Sequence, residues 1–385
     1  MVRAMRKGRG LRAVARQFKV DPATVRHWVE QARGQRLERV DFSNRRPGRP
    51  RAVNRTTPEL EEMILQVRNQ LQKHSDLGQC GALAIHATLR QQALAAPPTV
   101  RTIGRILVRR GAVERPCRRR RPAPPPGWYL GAVASGSQEL DSFDIVEALA
   151  IKGGPHLELF NGISLRGALC DTHLVQGGHS ARSVLEALLV HWRRWGLPGY
   201  AQFDNDTRFQ GPHSGVDILS RVVRLCLALE VTPVFAPPRE TGFQAAIESY
   251  NGLWQAKVWR RFEFDSLAAV CEQSERFVAA RRAHLGRRIE LAPERRSIDP
   301  AWRLDLQRHP PGRVIFLRRT SEQGGVEVLG RRFMVDAHWL HRLVRCEVDL
   351  DRDRIEFFAL RRSRPSEQPK LKEEAYHVPN KRFHE

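Results

Sequence analysis

Three carboxylates in this chain sit where rigid elements could bring them to one point. Asp141 lies inside the β-favouring run ELDSFDIVEALAI, Asp204 at the end of the run YAQFDND, and Glu248 on a helical run from about 242 to 261. Carboxylates are hard oxygen ligands suited to Mg²⁺ or Mn²⁺. Two such ions side by side activate an oxygen nucleophile, stabilise a leaving oxygen and neutralise a phosphate held between them. The three positions meet only if the first and fourth strands of a sheet are neighbours and the helix lies beside them. Other carboxylates compete. Asp144 is three residues from Asp141 and faces the opposite side of a strand, which points to a structural role. Asp206 follows Asp204 by two, faces the same way if the strand continues, and is the alternative ligand. Asp171, in the third strand, reads as a turn or surface group. On the helix, Gln244 and Gln255 share the face of Glu248, and Trp254, Trp259 and Phe262 read as core.

The elements that must position these groups are legible from 136 to 285. Three short strands (ELDSFDIVEALAI, HLELFNGISLRG, ALCDTHLVQ) precede a helix over about 181–195, the strand YAQFDND, a helix over about 216–229, the strand VTPVFAP and the helix of Glu248. That order predicts an α/β core, a mixed five-stranded sheet with helices on both faces. Beyond it, five β-favouring runs (VIFL, VEVL, RRFMV, RLVRCEV, RIEFFAL) predict a small C-terminal β-barrel over 305–362, and the polar segment 363–385 reads as a disordered tail.

Charge identifies the class of partner. Lys and Arg number 65 against 42 Asp and Glu, a net charge of +23, and residues 1–55 hold 16 basic and 4 acidic residues. A field of this sign attracts a polyanion, so nucleic acid is the expected partner. Residues 11–29 carry Val14, Ala15, Phe18, Val20, Val25 and Trp28 at the spacing of two short helices sharing one core. Asp21-Pro22 starts the second of them. This predicts a helix-turn-helix over 1–42 with Thr24, Arg26 and His27 outward on a recognition helix, although Lys19 stands where such turns often carry glycine. A basic linker follows over 43–57 (Arg45, Arg46, Arg49). A second helix-turn-helix-like unit over 58–113 exposes Arg101 and Arg105, and an Arg/Pro linker spans 114–135. Six cysteines lack C-x-x-C spacing, which argues against a zinc or disulfide framework, and no run is apolar enough for a membrane helix. A soluble protein of the bacterial cytoplasm or nucleoid is expected.

QELDSF, FDNDTRF and a glutamate 43 intervening residues beyond Asp204 resemble the DDE signature of insertion-sequence transposases and retroviral integrases. The resemblance covers about 138–261 and implies a ribonuclease-H-like core. It further implies that Asp141, Asp204 and Glu248 are catalytic metal ligands for two Mg²⁺ or Mn²⁺ ions, in DNA cleavage and strand transfer at the ends of a mobile element. The partners implied are double-stranded DNA, both element ends and target, and further copies of the chain assembled on it. Gln244 and Gln255 then read either as target-DNA contacts or as an ordinary polar helix face. Many relatives carry Gly at the place of Asp206 and Asn-Gly at the place of Gln244-Ala245, and a shorter spacing to the glutamate. The alternative is a catalytically silent, domesticated DNA-binding regulator.

Overall fold

The computed structural model describes residues 1–43, 56–92, 96–114, 124–212, 215–309 and 311–379. Arg45, Arg46 and Arg49, and the arginines at 118–121, lie outside the described residues. The chain divides into two units, Met1–Met63 and Ile64–Glu385.

The first unit holds α1 (Val2–Arg6), α2 (Leu11–Phe18) and α3 (Pro22–Gln31). Asp21 caps α3 by accepting from the Ala23 N–H at 2.7 Å, with Pro22 at the first helical position. Val14, Ala15 and Val25 close a small core between α2 and α3. Lys19 ends α2 in the left-handed conformation, φ 51°, doing without the glycine that relieves this backbone strain elsewhere. Arg26 and His27 are exposed on α3, and Thr24 is half-buried.

The chain passes from the first unit into the second within α4 (Pro58–His74), and α5 (Ala82–Gln91) and α6 (Val100–Arg109) follow. Arg68 ties them by donating to the carbonyls of Cys80 (2.6 Å) and Ala112 (3.1 Å), while Arg101 and Arg105 are exposed. After the short α7 (Gly131–Ser135) come β1 (Leu140–Ala150), β2 (His156–Ser164), β3 (Cys170–Gln176), α8 (Ala181–Trp195) and β4 (Tyr200–Phe203). Next are α9 (Thr207–Gln210), α10 (Arg221–Ala228), β5 (Thr232–Phe235) and α11 (Ala245–Trp254), which runs on into a π-helical turn, Gln255–Trp259. The expected order is therefore observed, followed by α12 (Leu267–His284) and α13 (Gly286–Glu290).

The helical segment α4–α6 is fastened to this core. Lys257 Nζ donates to the Gly78 carbonyl at 2.9 Å, and Arg261 donates to those of Ser75 (2.6 Å) and Lys73 (2.8 Å).

The C-terminal runs do not close a separate barrel. β6 (Arg313–Arg319) pairs parallel with β5, Val234 opposite Ile315 and Phe235 opposite Phe316. β7 (Gly325–Val328) and β8 (Arg331–Met334) form a hairpin. β9 (Leu343–Asp349), β10 (Arg354–Ala359) and β11 (Lys370–Ala375) then continue the sheet to nine strands in the order β11-β10-β9-β6-β5-β4-β1-β2-β3. The cause is in β6 itself. Val314 and Phe316 enter one apolar cluster, Ile315 and Leu317 another on the opposite face, and a strand buried on both faces belongs inside a sheet. The segment expected to be a disordered tail supplies β11, held to β10 by ion pairs Arg354–Glu373 (2.8 Å) and Lys370–Glu356 (3.1 Å).

A row of rings crosses five strands: Phe160, Phe143, Phe203, Phe235 and Phe316, with successive centroids 5.5, 5.6, 6.2 and 5.1 Å apart. Gly162 makes room for it, since a Cβ there would lie 2.7 Å from the Phe143 ring. Among the described residues no helix is long and apolar enough to cross a membrane.

Phe316 is fully buried in this row. Phe316→Ala is expected to cost about 3–5 kcal/mol and to destabilise β1, β4 and β6 together. Hydrogen exchange under rising denaturant checks this: β6 and β9 opening well before β4 would mark an independent C-terminal module.

Candidate active site

The parallel pairing of β1 and β4 sets Asp141 opposite Ala201 and Ser142 opposite Gln202. Continued step for step, that register places Asp144 alongside Asp204, so the structure does not bring Asp141 to Asp204. Alternation along β1 sends Asp141 and Asp144 to opposite faces, and the two carboxylates lead different lives.

Asp141 is fully buried against α8. It pairs with Arg295, whose Nη1 lies 3.0 Å from its Oδ2, accepts from Trp192 Nε1 at 3.3 Å, and faces His191 Nε2 at 3.5 Å. His191 reaches on to Asp171 at 3.3 Å, which also accepts from Trp195 Nε1 (3.1 Å) and pairs with Arg282 (2.9 Å). Burial by itself would raise the pKa of Asp141, but Arg295 and His191 reverse the sign and hold it below the carboxylate range. The same balance lowers Asp171 to about 2. Burial pushes His191 down, and its bonds to Asp141 and Asp171 more than restore it, so its pKa is raised. Asp141 is thus neutralised and shielded. A cavity of about 480 Å³ between α8 and α12, lined by Asp171 and His191, belongs to this side of the sheet.

Asp144 faces α11. Its Oδ2 accepts from Asn251 Nδ2 at 2.7 Å, and Asn251 Oδ1 accepts from Asn161 Nδ2 at 2.7 Å, a two-amide relay that fixes the carboxylate from behind. Asn161 is also its cross-strand neighbour on β2. Burial, then repulsion from Asp204 and from Glu248, pushes Asp144 up to about 6 against the opposing bonds from Ile145 N–H and Asn251. Asp204 is raised too, by burial and by Asp206. These two carboxylates, with Glu248 exposed on α11, form the region of concentrated negative charge.

Asp206 has a local task. It is the N-cap of α9, accepting from the Arg208 N–H at 2.7 Å, and its own N–H donates to Asp204 Oδ1 at 3.0 Å. Arg208 then clamps the turn to the β1–β2 hairpin, reaching Asp206 (2.7 Å), Glu158 (3.0 Å) and Glu147 (2.5 Å). Asn205 Nδ2 donates to the Ala236 carbonyl at 2.7 Å and locks the end of β4 to the end of β5. Gln244 stands at the N-cap of α11 with its Nε2 buried and without a partner among the described residues, and Gln255 accepts from Arg260 at 3.2 Å. Trp254 is buried, as expected.

Oxygen donors of this kind suit a hard divalent cation, and the raised pKa of Asp144 and Asp204 marks charge that a cation would relieve. Among the described residues no three His, Cys, Asp or Glu are gathered at metal-binding spacing. Helical spacing from Glu248 places Asn251 on the same face as Gln244 and Gln255; its bond to Asp144, and the roles of Asn161 and Arg208, were not foreseen.

No family model and no curated protein matches the chain. Among solved structures it is similar to the catalytic core domain of BIV integrase, at 15% identity over 36% of this chain and 81% of that one, TM-score 0.26. It is similar to a chain of the simian T-cell lymphotropic virus intasome in complex with PP2A regulatory subunit B56 gamma, at 12% identity over 68% and 87%, TM-score 0.33. A third is the HTLV-2 integrase catalytic core domain in complex with magnesium, at 12% identity over 35% and 81%, TM-score 0.27.

The Asp141–His191–Asp171 network has a pH signature. Asp171 falls from an ordinary 3.8 to about 2 on folding, so its contribution to stability is present above the higher value and lost as pH falls through the lower one. Denaturant midpoints between pH 5 and pH 2.5 should therefore decline, and Asp171→Asn should flatten that decline. An acid limb of unchanged slope in the variant would exclude Asp171 as its source.

Proposed function

We propose that the chain is a polynucleotidyl transferase of the transposase or integrase type, cutting and joining DNA strands with Asp144, Asp204 and Glu248. The observation that carries the reading is the adjacency of Asp144 and Asp204 where β4 ends beside the interior of β1, the two carboxylates repelling each other, with the glutamate of α11 beside them. The element order, three antiparallel strands followed by alternating helices and parallel strands, supports a ribonuclease-H-like core. In this reading Asp144 replaces Asp141 as the strand-borne ligand.

Asp144, Asp204 and Glu248 would hold two Mg²⁺ or Mn²⁺ ions, which when bound supply charge neutralisation at the phosphate and activation of the attacking oxygen. The chain's own residues do the positioning. Asn251 and Asn161 orient Asp144, the Asp206 N–H orients Asp204, and Arg208 keeps the β4–α9 turn on the β1–β2 hairpin. With the carboxylates occupied as ligands, the attacking groups are water and then a DNA 3′-hydroxyl, without a covalent enzyme intermediate. Element ends would be gripped by α3 through Thr24, Arg26 and His27 and by α6 through Arg101 and Arg105, and the chain would act as an assembly of copies on DNA.

The test uses duplexes taken from the DNA on either side of the gene, with Mg²⁺ or Mn²⁺. Asp144→Asn, Asp204→Asn and Glu248→Gln should each lower cutting and joining by about 10²–10³-fold with melting temperature unchanged or raised, because like charges are relieved. Asp141→Asn should instead lower stability by about 3 kcal/mol, its activity tracking the folded fraction. A stable, inactive Asp141→Asn beside an active Asp144→Asn would overturn the assignment, and DNA binding without joining by the unaltered chain would favour a silent regulator. Affinity for duplex should fall steeply with salt. Arg26→Ala and His27→Ala should relax end preference, and a preference unchanged in both would remove α3 from recognition.

A further inference from the structure

A second cleft, of about 470 Å³, opens beside Asn205 at the C-terminal ends of β4, β5 and β6. Crevices outside the carboxyl ends of parallel strands are where such sheets take ligands, and this volume is in the range of about 300–1,000 Å³ usual for a ligand site. One wall is the segment after β4, with Asn205 and Gln210; the other is the β7–β8 turn at Leu329 and Gly330. The walls are braced. Asp217 donates its N–H to the Leu329 carbonyl at 2.9 Å, pairs with Arg331, and accepts from the Tyr376 hydroxyl at 2.7 Å. Gly330, at φ +75°, approaches so closely that a Cβ would lie 2.8 Å from the Gly215 carbonyl oxygen.

Arg318 lines this cleft and is only 9% exposed. Its Nε donates to the Glu327 carbonyl (3.2 Å) and its Nη1 to the Leu317 carbonyl (2.9 Å), and its guanidinium lies 5.1 Å from the centre of the Phe316 ring. Among the described residues no carboxylate lies within ion-pair distance of it and Nη2 has no partner, whereas the adjacent Arg319 pairs with Glu240. Burial draws Arg318 down to about 10, with the Cys346 thiol and Glu327 opposing. Facing it, Asn205 Oδ1 and Gln210 Oε1 are buried and unpartnered among the described residues. Arg239 is exposed at the rim, where Glu327 also contributes to the lining. A buried cation without a counter-ion is a standing cost, and the ligand that removes it is an anion.

We propose that this cleft holds a backbone phosphodiester of the DNA strand running past Asp204, with Arg318 as its buried counter-charge. The proposal rests on the reading of the carboxylates as a DNA site, since the cleft begins one residue beyond Asp204. A guanidinium fork matches two phosphate oxygens, and the unpartnered amide oxygens of Asn205 and Gln210 are the nearest acceptors for the amino group of an adjoining base.

The experiment measures binding of the full chain to a short single-stranded oligonucleotide across a salt series, without divalent cation. Arg318→Met should weaken binding about tenfold and reduce the salt slope by about one, while melting temperature holds or rises because a buried unpaired charge is gone. Arg318→Lys, keeping charge but not the fork, should fall between. Arg352→Met, an exposed cation at the other end of the sheet, serves as control. Inorganic phosphate should raise the melting temperature of the unaltered chain more than that of Arg318→Met. Equal losses in the Arg318 and Arg352 variants, an unchanged salt slope, or a phosphate effect that survives Arg318→Met would each overturn the proposal. Absence of strand joining with the Arg318 effects intact would instead defeat the carboxylate reading and leave the cleft standing.

Discussion

β1 is paired antiparallel to β2 along most of its length and parallel to β4 over Leu140–Ser142, so Asp141 cannot change face without breaking two ladders, and the alternation from it fixes the face of Asp144. That constraint sorts its acidic residues. The face toward α8 receives Asp141, where Arg295, His191 and Trp192 neutralise it. The face toward α11 receives Asp144, where the nearest charges are other carboxylates. A buried ion pair and a half-buried cluster of like charges have opposite consequences. The first holds one conformation, and the second leaves repulsion that, on the proposed reading, a cation would relieve. Placing them on the two sides of a single strand lets the rigid side brace the strained one.

The same alternation explains what the sequence could and could not say. The order of strands and helices from β1 to α11 was legible, because period and turn residues report it directly. The placement of Asp204 just beyond a strand and of Glu248 on a helix was legible from the same periods. The choice between Asp141 and Asp144 was not. Spacing told correctly that they point opposite ways, but which face carries α8 and which carries α11 depends on the β1–β4 register and on Arg295, 154 residues away. No local pattern encodes a partner that distant. Asp206 illustrates the converse: its role is set by its immediate neighbour Arg208 and by the cap it gives α9, a local signal that a search for metal ligands read differently.

The C-terminal strands misled for a related reason. Short apolar runs separated by turns describe a barrel and an extended sheet equally well, since both satisfy the same pairing needs. What decides is the two-faced burial of β6, and the Phe235–Phe316 contact that makes β5 its neighbour. Once β6 is an interior strand of the nine-stranded sheet, β9 to β11 have only one edge to extend, and polar β11 is a suitable outermost strand because its ion pairs and charges discourage further pairing.

Charge is distributed against the chemistry proposed for the site. The chain is +23 overall, yet the ends of β1, β2 and β4 gather Asp144, Glu147, Glu158, Asp204 and Asp206, and Arg208 is committed to three of these carboxylates. On the proposed reading, a DNA strand drawn in by the long-range field would meet local repulsion at the site of cutting. On the proposed reading the repulsion is what makes the site selective: phosphate can settle there only together with divalent cations, so bare electrostatic binding does not lead to cutting. Arg208 offsets part of this repulsion through Glu147, Glu158 and Asp206, and its charge reaches Asp204, but its cation is already taken up by three carboxylates, while Asp144 is held by the relay of Asn161 and Asn251.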